Sequence, residues 1–529
     1  MRFRFPTIAG VLLLALLLVA FTYAAPDEAA QTQTTFSPIT QDAVLPNAPL
    51  TCPGMVLGSV APQSSTVSID PATVADALQR LRADNPDAKR ELIGVSVPVP
   101  QIDPATWEQL EAADGARSWR VAIRSEGATF IRPHFSGLNA NLASQVMVYG
   151  DPSVGTVQTL EQFRTDGADQ FWGPLIQGDV LHIELVNDLD TPPQFRIDWI
   201  SHGIVEFDAG LDSGEKESWC YLDPTCHSDW VPLKSAVGQM AFESGGGTYS
   251  CTGTLLSDTA LTYQPWFITA NHCISGASEA NSLVVTWNYN TSVCNGSAPN
   301  FYSLPHSSGS DLKWTNSTYD MTLLMLDSSP PAGAAYLGWS ASQVGSGSAA
   351  SVLHHPAGAY LRLSIGNVVG TYSDFTEVHY REGSTEGGSS GSSLLSSSAK
   401  VVGTLSAGDA SCSHMSGTDY YGNFAGAYSA GLSSFLNNGS PGDDDDDDID
   451  DDDSEDRDCQ TMCERIDQCS LSGDLGINTI SECLDLCELF RQSVYECIIA
   501  ADSCSEIEDC VGLGSSSSSS SDSSECCGL

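Results

Sequence analysis

An all-β protein with a small helical unit at its end is the fold class this sequence predicts. Short β-branched and aromatic runs, separated by turn residues, fill a first block from about residue 92 to 205. A second β-rich block runs from about 217 to 438. Between residues 459 and 510 the pattern changes to eight cysteines in a helical-looking text, with Cys459 and Cys463, and Cys483 and Cys487, four apart. That spacing places each pair on one helical face. A chain of 529 residues also exceeds one ordinary domain.

The elements follow in order. Residues 1–24 read as a secretory signal: Arg2 and Arg4 give a positive start, Ile8 to Phe21 is apolar, and Thr22-Tyr23-Ala24 offers small residues for cleavage. No later segment has the roughly 18 uninterrupted apolar residues of a membrane span. Residues 25–216 are expected to form a region preceding the second block, with a linker rich in Ala, Thr, Pro, Gln and Ser up to residue 70 and an amphipathic helix over 71–90. Its strands are expected at Leu92 to Val99, Trp119 to Arg124, Gln145 to Tyr149 and Val180 to Val186, in a β-sandwich. In the second block, Ser282 to Tyr289, Ala349 to His354 and Lys400 to Leu405 read as strands.

Residues 439–458 hold a run from Asp443 to Asp453 broken only by Ile449, an extended, self-repelling linker. The Cys-rich helical unit is placed at 459–512 and a Ser-rich tail at 513–529. The net charge is −46, and 26 acidic against 3 basic residues from Asp443 onward carry −23 of it. So acidic a chain is not expected to bind nucleic acid. Seventeen cysteines behind a secretory signal imply disulfides rather than thiols, and no spacing matches a zinc module. No metal or organic cofactor is implied.

Three strings in the second block carry chemistry. Thr269-Ala270-Asn271-His272-Cys273 is followed by Asp320-Met321-Thr322-Leu323-Leu324 and then Gly388-Ser389-Ser390-Gly391-Ser392. A serine hydroxyl is a poor nucleophile near neutral pH and needs an adjacent base. His272 is the expected base, Asp320 the group that orients it, and Ser390 the nucleophile, in the chain order His, Asp, Ser. The backbone N–H groups of Gly388 and Ser390 are the expected oxyanion donors, worth about 3–4 kcal/mol each.

The second block resembles the lysyl endopeptidase branch of the trypsin-like serine proteases, known from secreted bacterial enzymes. The likeness covers about 220 residues and includes, besides the three strings, Ser250-Cys251-Thr252-Gly253-Thr254-Leu255-Leu256, Val284-Val285-Thr286-Trp287-Asn288-Tyr289, His354-His355-Pro356 and Glu386-Gly387-Gly388. It implies a trypsin-like double β-barrel over 217–438 and the disulfides Cys220–Cys412, Cys226–Cys294 and Cys251–Cys273; sequence alone leaves 15 pairings of six cysteines. It also implies a secreted serine endopeptidase acting on proteins or peptides after Lys, with Asp419 of Thr418-Asp419-Tyr420-Tyr421-Gly422 as the acid of the specificity pocket.

Two departures bear on specificity. Ser384, six positions before Ser390, is uncharged where trypsin carries an acid. Ser406 stands where this branch carries His, in Gly403-Thr404-Leu405-Ser406-Ala407-Gly408, which extends the expectation to Arg. Ser406 and Gly408 then line the substrate wall, whose backbone pairs with substrate as an added strand. Residues 25–216 read as the pro-region of a zymogen, with self-cleavage expected after Lys216 in Gly214-Glu215-Lys216-Glu217-Ser218. A different pocket preference, and a surface-binding protein with an incidental protease fold, are the alternatives. The sequence names no partner for the Cys-rich unit. The location implied is extracellular, free or at a cell surface, in a bacterium.

Overall fold

The computed structural model describes residues 30–37, 66–84, 90–102, 106–111, 117–138, 145–150, 157–163, 170–186, 195–207 and 220–437. The signal sequence, Lys216, the Asp-rich run and the Cys-rich unit lie outside the described residues.

The N-terminal part is a sandwich of two sheets. One contains Phe130–Ser136, Arg196–Gly203 and Glu91–Pro98; the other contains Arg117–Arg124, Val180–Val186 and Val146–Tyr149. The strands lie within a residue or two of their expected positions because short β-branched and aromatic runs bounded by turn residues favour extended backbone. Val97, Val121, Ile123, Phe135, Val148, Ile183 and Ile200 fill the space between the sheets. The helix occupies Pro71–Asp84. Pro71 opens it after Asp70, whose carboxylate accepts from Ala72 N at 2.9 Å and so satisfies one of the unpaired N–H groups of its first turn. The expected continuation to residue 90 runs past the described residues, and by Glu91 the chain is a strand.

The second block holds two β-barrel units. The second is a closed barrel of six strands, from Ala349–His354 to Asp419–Asn423. The first is built on the hairpin Val237–Ser244 and Gly247–Leu255, with Trp266–Thr269, Val284–Thr286, His306–Ser308, Ser310–Asn316 and Met321–Leu326. Its core gathers Met240, Phe242, Leu255, Trp266, Phe267, Trp287 and Leu323. The expected strand over Ser282 to Tyr289 is shorter, Val284–Thr286, because the chain leaves the sheet before Asn288, which has φ 60°. Disulfides join Cys220 to Cys412, Cys226 to Cys294 and Cys251 to Cys273.

The sandwich and the first barrel are not separate sheets. The edge strand Glu91–Pro98 pairs antiparallel with the barrel hairpin, Val95 opposite Gly247 and Glu91 opposite Ser250, so one 12-stranded sheet runs through both. A buried ion pair lies across this junction: Arg132 meets Glu243 at 3.2 Å and donates to the Ser282 carbonyl at 2.6 Å. Ser96 and Thr248 donate to the same carboxylate, at 2.9 and 2.8 Å. Phe207, at the end of the sandwich, stacks on Phe301 with ring centres 4.0 Å apart. Before any of this the chain already touches the second block, where Thr35–Phe36 pairs with Ala335–Tyr336 and Thr32 N donates to the Trp339 carbonyl at 3.0 Å.

Candidate active site

His272 follows the strand Trp266–Thr269, and Asp320 precedes the strand Met321–Leu326, its direct neighbour. The pairing of these strands brings the two residues together. Asp320 Oδ2 accepts from His272 Nδ1 at 2.7 Å and Oδ1 accepts from the His272 backbone N at 2.8 Å. Ser406 Oγ donates to the same Oδ2 at 2.6 Å. Burial alone would raise the Asp320 pKa, but the His272 and Ser406 bonds outweigh it and hold the group below the ordinary carboxylate range. With Asp320 ionised, Nδ1 carries the proton and Nε2 is left as the basic nitrogen. Nε2 is buried and has no hydrogen-bond partner among the described residues.

Ser390 arrives from the second barrel. Its carbonyl accepts from Thr252 N at 2.9 Å, and Thr252 follows Cys251, which is bonded to Cys273 beside His272. Cys251, His272 and Cys273 form the one cluster of possible metal ligands found among the described residues. Both sulfurs are spent in the disulfide, so the cluster offers no thiolate.

The loop before Ser390 is held by groups the sequence did not reveal. Ala357 N donates to the Gly387 carbonyl at 2.6 Å. In a trans peptide the N–H points opposite the C=O, so Gly388 N–H is turned away from Ala357. Gly388 has φ +86°, open to glycine and strained for other residues. Thr252 Oγ1 donates to the Gly388 carbonyl at 2.9 Å. His354 bridges two hydroxyls, Nδ1 to Ser389 Oγ at 2.8 Å and Nε2 to Ser364 Oγ at 3.1 Å. Ser389 Oγ in turn accepts from Glu386 N at 3.1 Å, and Ser364 Oγ donates to the Ser384 carbonyl at 2.9 Å. Burial, with His355 and Arg362 nearby, pushes the His354 pKa down to about 3, so this bridge is neutral. The signal was the His354-His355 pair itself, but no spacing tells which serines a buried histidine will meet.

A cavity of about 540 Å³ opens at Ser390 and is walled by Ser406, Ala407 and Gly408, with Asp419 and Thr385 among its lining residues. Asp419 is almost fully buried, at 1 % exposure. Thr385 Oγ1 donates a short bond to its carboxylate. Burial pushes its pKa up to about 6, against stabilising bonds from Thr385, Tyr380 and Ala410 N–H. Asp419 pairs with Gly408 across the sheet, and a Cβ at residue 408 would run into that carboxylate and the Thr418 carbonyl.

The N-terminal sandwich reaches the other flank. Arg90 donates to the Cys273 carbonyl at 3.1 Å and lies over the Tyr249 ring at 4.3 Å. The Glu91 carboxylate packs against Gly387, where a Cβ would collide with it.

The family described as lysyl endopeptidase, C-terminal domain, matches residues 214–422. A lysyl endopeptidase of Pseudomonas aeruginosa is 31 % identical over 370 residues, covering 64 % of this chain and 79 % of the relative. Among solved structures, an M. tuberculosis protease, Rv3671c in its active form, is 15 % identical with a TM-score of 0.30, over 40 % of this chain and 86 % of that one. A thermostable serine protease, AL20, from an extremophilic microorganism is 15 % identical with a TM-score of 0.28, over 37 % and 95 %. Fold and similarity together define a serine endopeptidase, a hydrolase acting on protein or peptide substrates. Within that class the chain belongs to the lysyl endopeptidase family. No helix among the described residues is long and apolar enough to cross a membrane.

Proposed function

We propose that the protein cleaves peptide bonds on the carboxyl side of Lys, and of Arg, with Ser390 as nucleophile, His272 as base and Asp320 as the group that orients it. Ser390 Oγ attacks the scissile carbonyl carbon while His272 Nε2 takes its proton. The oxyanion is met by the N–H groups of Gly388 and Ser390. The C–N bond breaks as His272 returns the proton to the leaving amine. Water then attacks the ester on Ser390, and the same imidazole passes its proton back to Oγ.

The buried Asp419 carboxylate in a cavity that opens at Ser390 carries the specificity reading. A buried anion is costly without a counter-charge, and a Lys or Arg side chain supplies one. Ser406 and Gly408 form the wall along which substrate extends. The test is a cleavage map of an unfolded protein, read by mass spectrometry beside a Ser390→Ala control. Cuts after Lys or Arg, absent from the control, support the assignment. Cuts after neutral residues discard Asp419 as the pocket acid.

The chain is made, in this reading, as a secreted zymogen. Residues 1–24 are removed on export, residues 25–216 act as a pro-region, and self-cleavage follows Lys216. The contacts of Arg90 and Glu91 beside the reactive loops support a pro-region that limits access. A mature N-terminus other than Glu217 would discard this cleavage site.

A further inference from the structure

A second cavity, of about 460 Å³, is lined by His272. It shares Ser406 with the cavity of Asp419. Two carboxylates, Asp320 and Asp374, line it, and His272 is its one basic side chain. Asp320 is committed to His272 and Ser406. Asp374 is not committed in that way: its Oδ1 accepts from the neighbouring Ser373 hydroxyl at 3.0 Å, and it joins no ion pair among the described residues.

Aromatic rings complete the lining. Phe375 meets Tyr420 edge-on, with ring centres 5.6 Å apart, and stacks on Tyr372 at 4.5 Å. Phe375 and Tyr420 both face the cavity. In the sheet, Tyr420 stands opposite Ala407, and side chains directly opposite in an antiparallel pair share a face. Ala407 is too small to cover the ring. A carboxylate beside half-buried aromatic rings that line the cavity suits a cation, through charge and through the ring quadrupole.

We propose that this cavity is a second cation subsite, taking the Lys or Arg side chain of the substrate residue immediately before the one held by Asp419. The inference rests on the proposed function above. A substrate laid along Ser406 to Gly408 as an added strand points successive side chains to opposite faces. If one enters the Asp419 cavity, the preceding one faces His272 and the cavity of Asp374. The enzyme then prefers paired basic residues, cutting after the second.

The test uses fluorogenic peptides acetyl-Ala-Ala-X-Lys-aminomethylcoumarin, with X as Arg, Lys, Gln, Leu or Glu, and the purified full-length product in whatever processed form it reaches. The expected order of kcat/KM puts Arg and Lys about fivefold above Gln, the scale of one exposed ion pair with a cation–ring contact, and Glu lowest. Asp374→Asn brings the Arg-to-Gln ratio within about twofold. Independently of any variant, raising the salt from about 0.05 to 0.5 M narrows the wild-type ratio, since exposed charge pairs are screened. A preference for Leu or Gln, or a ratio indifferent to both salt and Asp374→Asn, overturns the subsite while leaving cleavage after Lys intact. If no peptide is cut, the proposed function itself fails and the subsite falls with it.

Discussion

Asp419→Asn probes the proposed pocket through pH. In the folded protein this carboxyl sits at a pKa of about 6, chiefly because burial penalises its anion. A cationic ligand binds the anion alone. At a pKa of about 6 the ionised fraction falls from about 0.9 at pH 7 to about 0.1 at pH 5. Affinity for p-aminobenzamidine, charged throughout that range, therefore drops about tenfold, or ~1.4 kcal/mol. Its fluorescence on binding provides the assay, and Asp419→Asn provides the baseline, weak and level with pH. A Kd that stays constant from pH 7 to 5, or an Asn variant that binds like the wild type, refutes the reasoning. The same carboxyl also bears on stability. Its folded pKa lies above the 3.8 of an unperturbed Asp, so the folded state binds the proton more tightly than the unfolded one. Ionisation costs stability that sets in between pH 3.8 and about 6 and is complete above it, up to ~3 kcal/mol. Asp419→Asn accordingly raises the urea midpoint at pH 8 and leaves it unchanged near pH 3.

Substitutions at four further positions test the remaining parts. Ser390→Ala lowers kcat by about 10⁴-fold or more with the unfolding midpoint retained, measured in single turnovers. Gly408→Ala sets a methyl against Asp419 and the Thr418 carbonyl, so kcat/KM for Lys peptides falls about a hundredfold, as misplacement by an ångström does. His354→Ala leaves the Ser389 and Ser364 hydroxyls without their bridge. Its kcat drops about tenfold with little change in KM, since each lost buried partner costs about 1–3 kcal/mol, and His354→Gln restores part of it. Because His354 is neutral above pH 4, the shape of the pH profile stays as in the wild type. Arg132→Ala strands the Glu243 carboxylate and lowers unfolding stability by about 3–5 kcal/mol in urea titration.

The second block was readable because its chemistry is local. His272, Asp320 and Ser390 each sit in a short recognisable string, and the structure bonds His272 to Asp320, so order and context narrowed the choice of candidates. Asp419 was picked out through its Tyr-Gly context by resemblance, and nothing in its own pattern distinguished it from a turn residue; the structure buries it beside the cavity that opens at Ser390. Ser406 was half legible: its place in the lining of the cavity at Ser390 agrees with the wall expected for it, while its bond to Asp320 depends on a contact between the two barrels. His354, Thr252 and Ala357 act at separations of 30 to 136 residues from the loop they hold, and periodicity has no reach over such distances. For the same reason the sandwich was legible as short β-rich runs, but the pairing of Glu91–Pro98 with Gly247–Leu255 was not. An edge strand looks alike in sequence whether solvent or another strand lies beside it.

The order in which the chain visits the protease block has a bearing on what one cut can achieve. Residues 30–37 lie on that block, the chain then builds the sandwich, and from residue 220 onward it returns. Breaking a single peptide bond between residues 207 and 220 would interrupt the covalent path but remove none of the anchorages: the strap at Ala335–Tyr336, the shared sheet edge, the Arg132–Glu243 pair and the Phe207 stack. Scission and departure are therefore distinct events with distinct rates. The first is set by the accessibility of one bond. The second is governed by the simultaneous loosening of several contacts far apart in sequence, so the time the two pieces remain together is a property of the interface rather than of the cut.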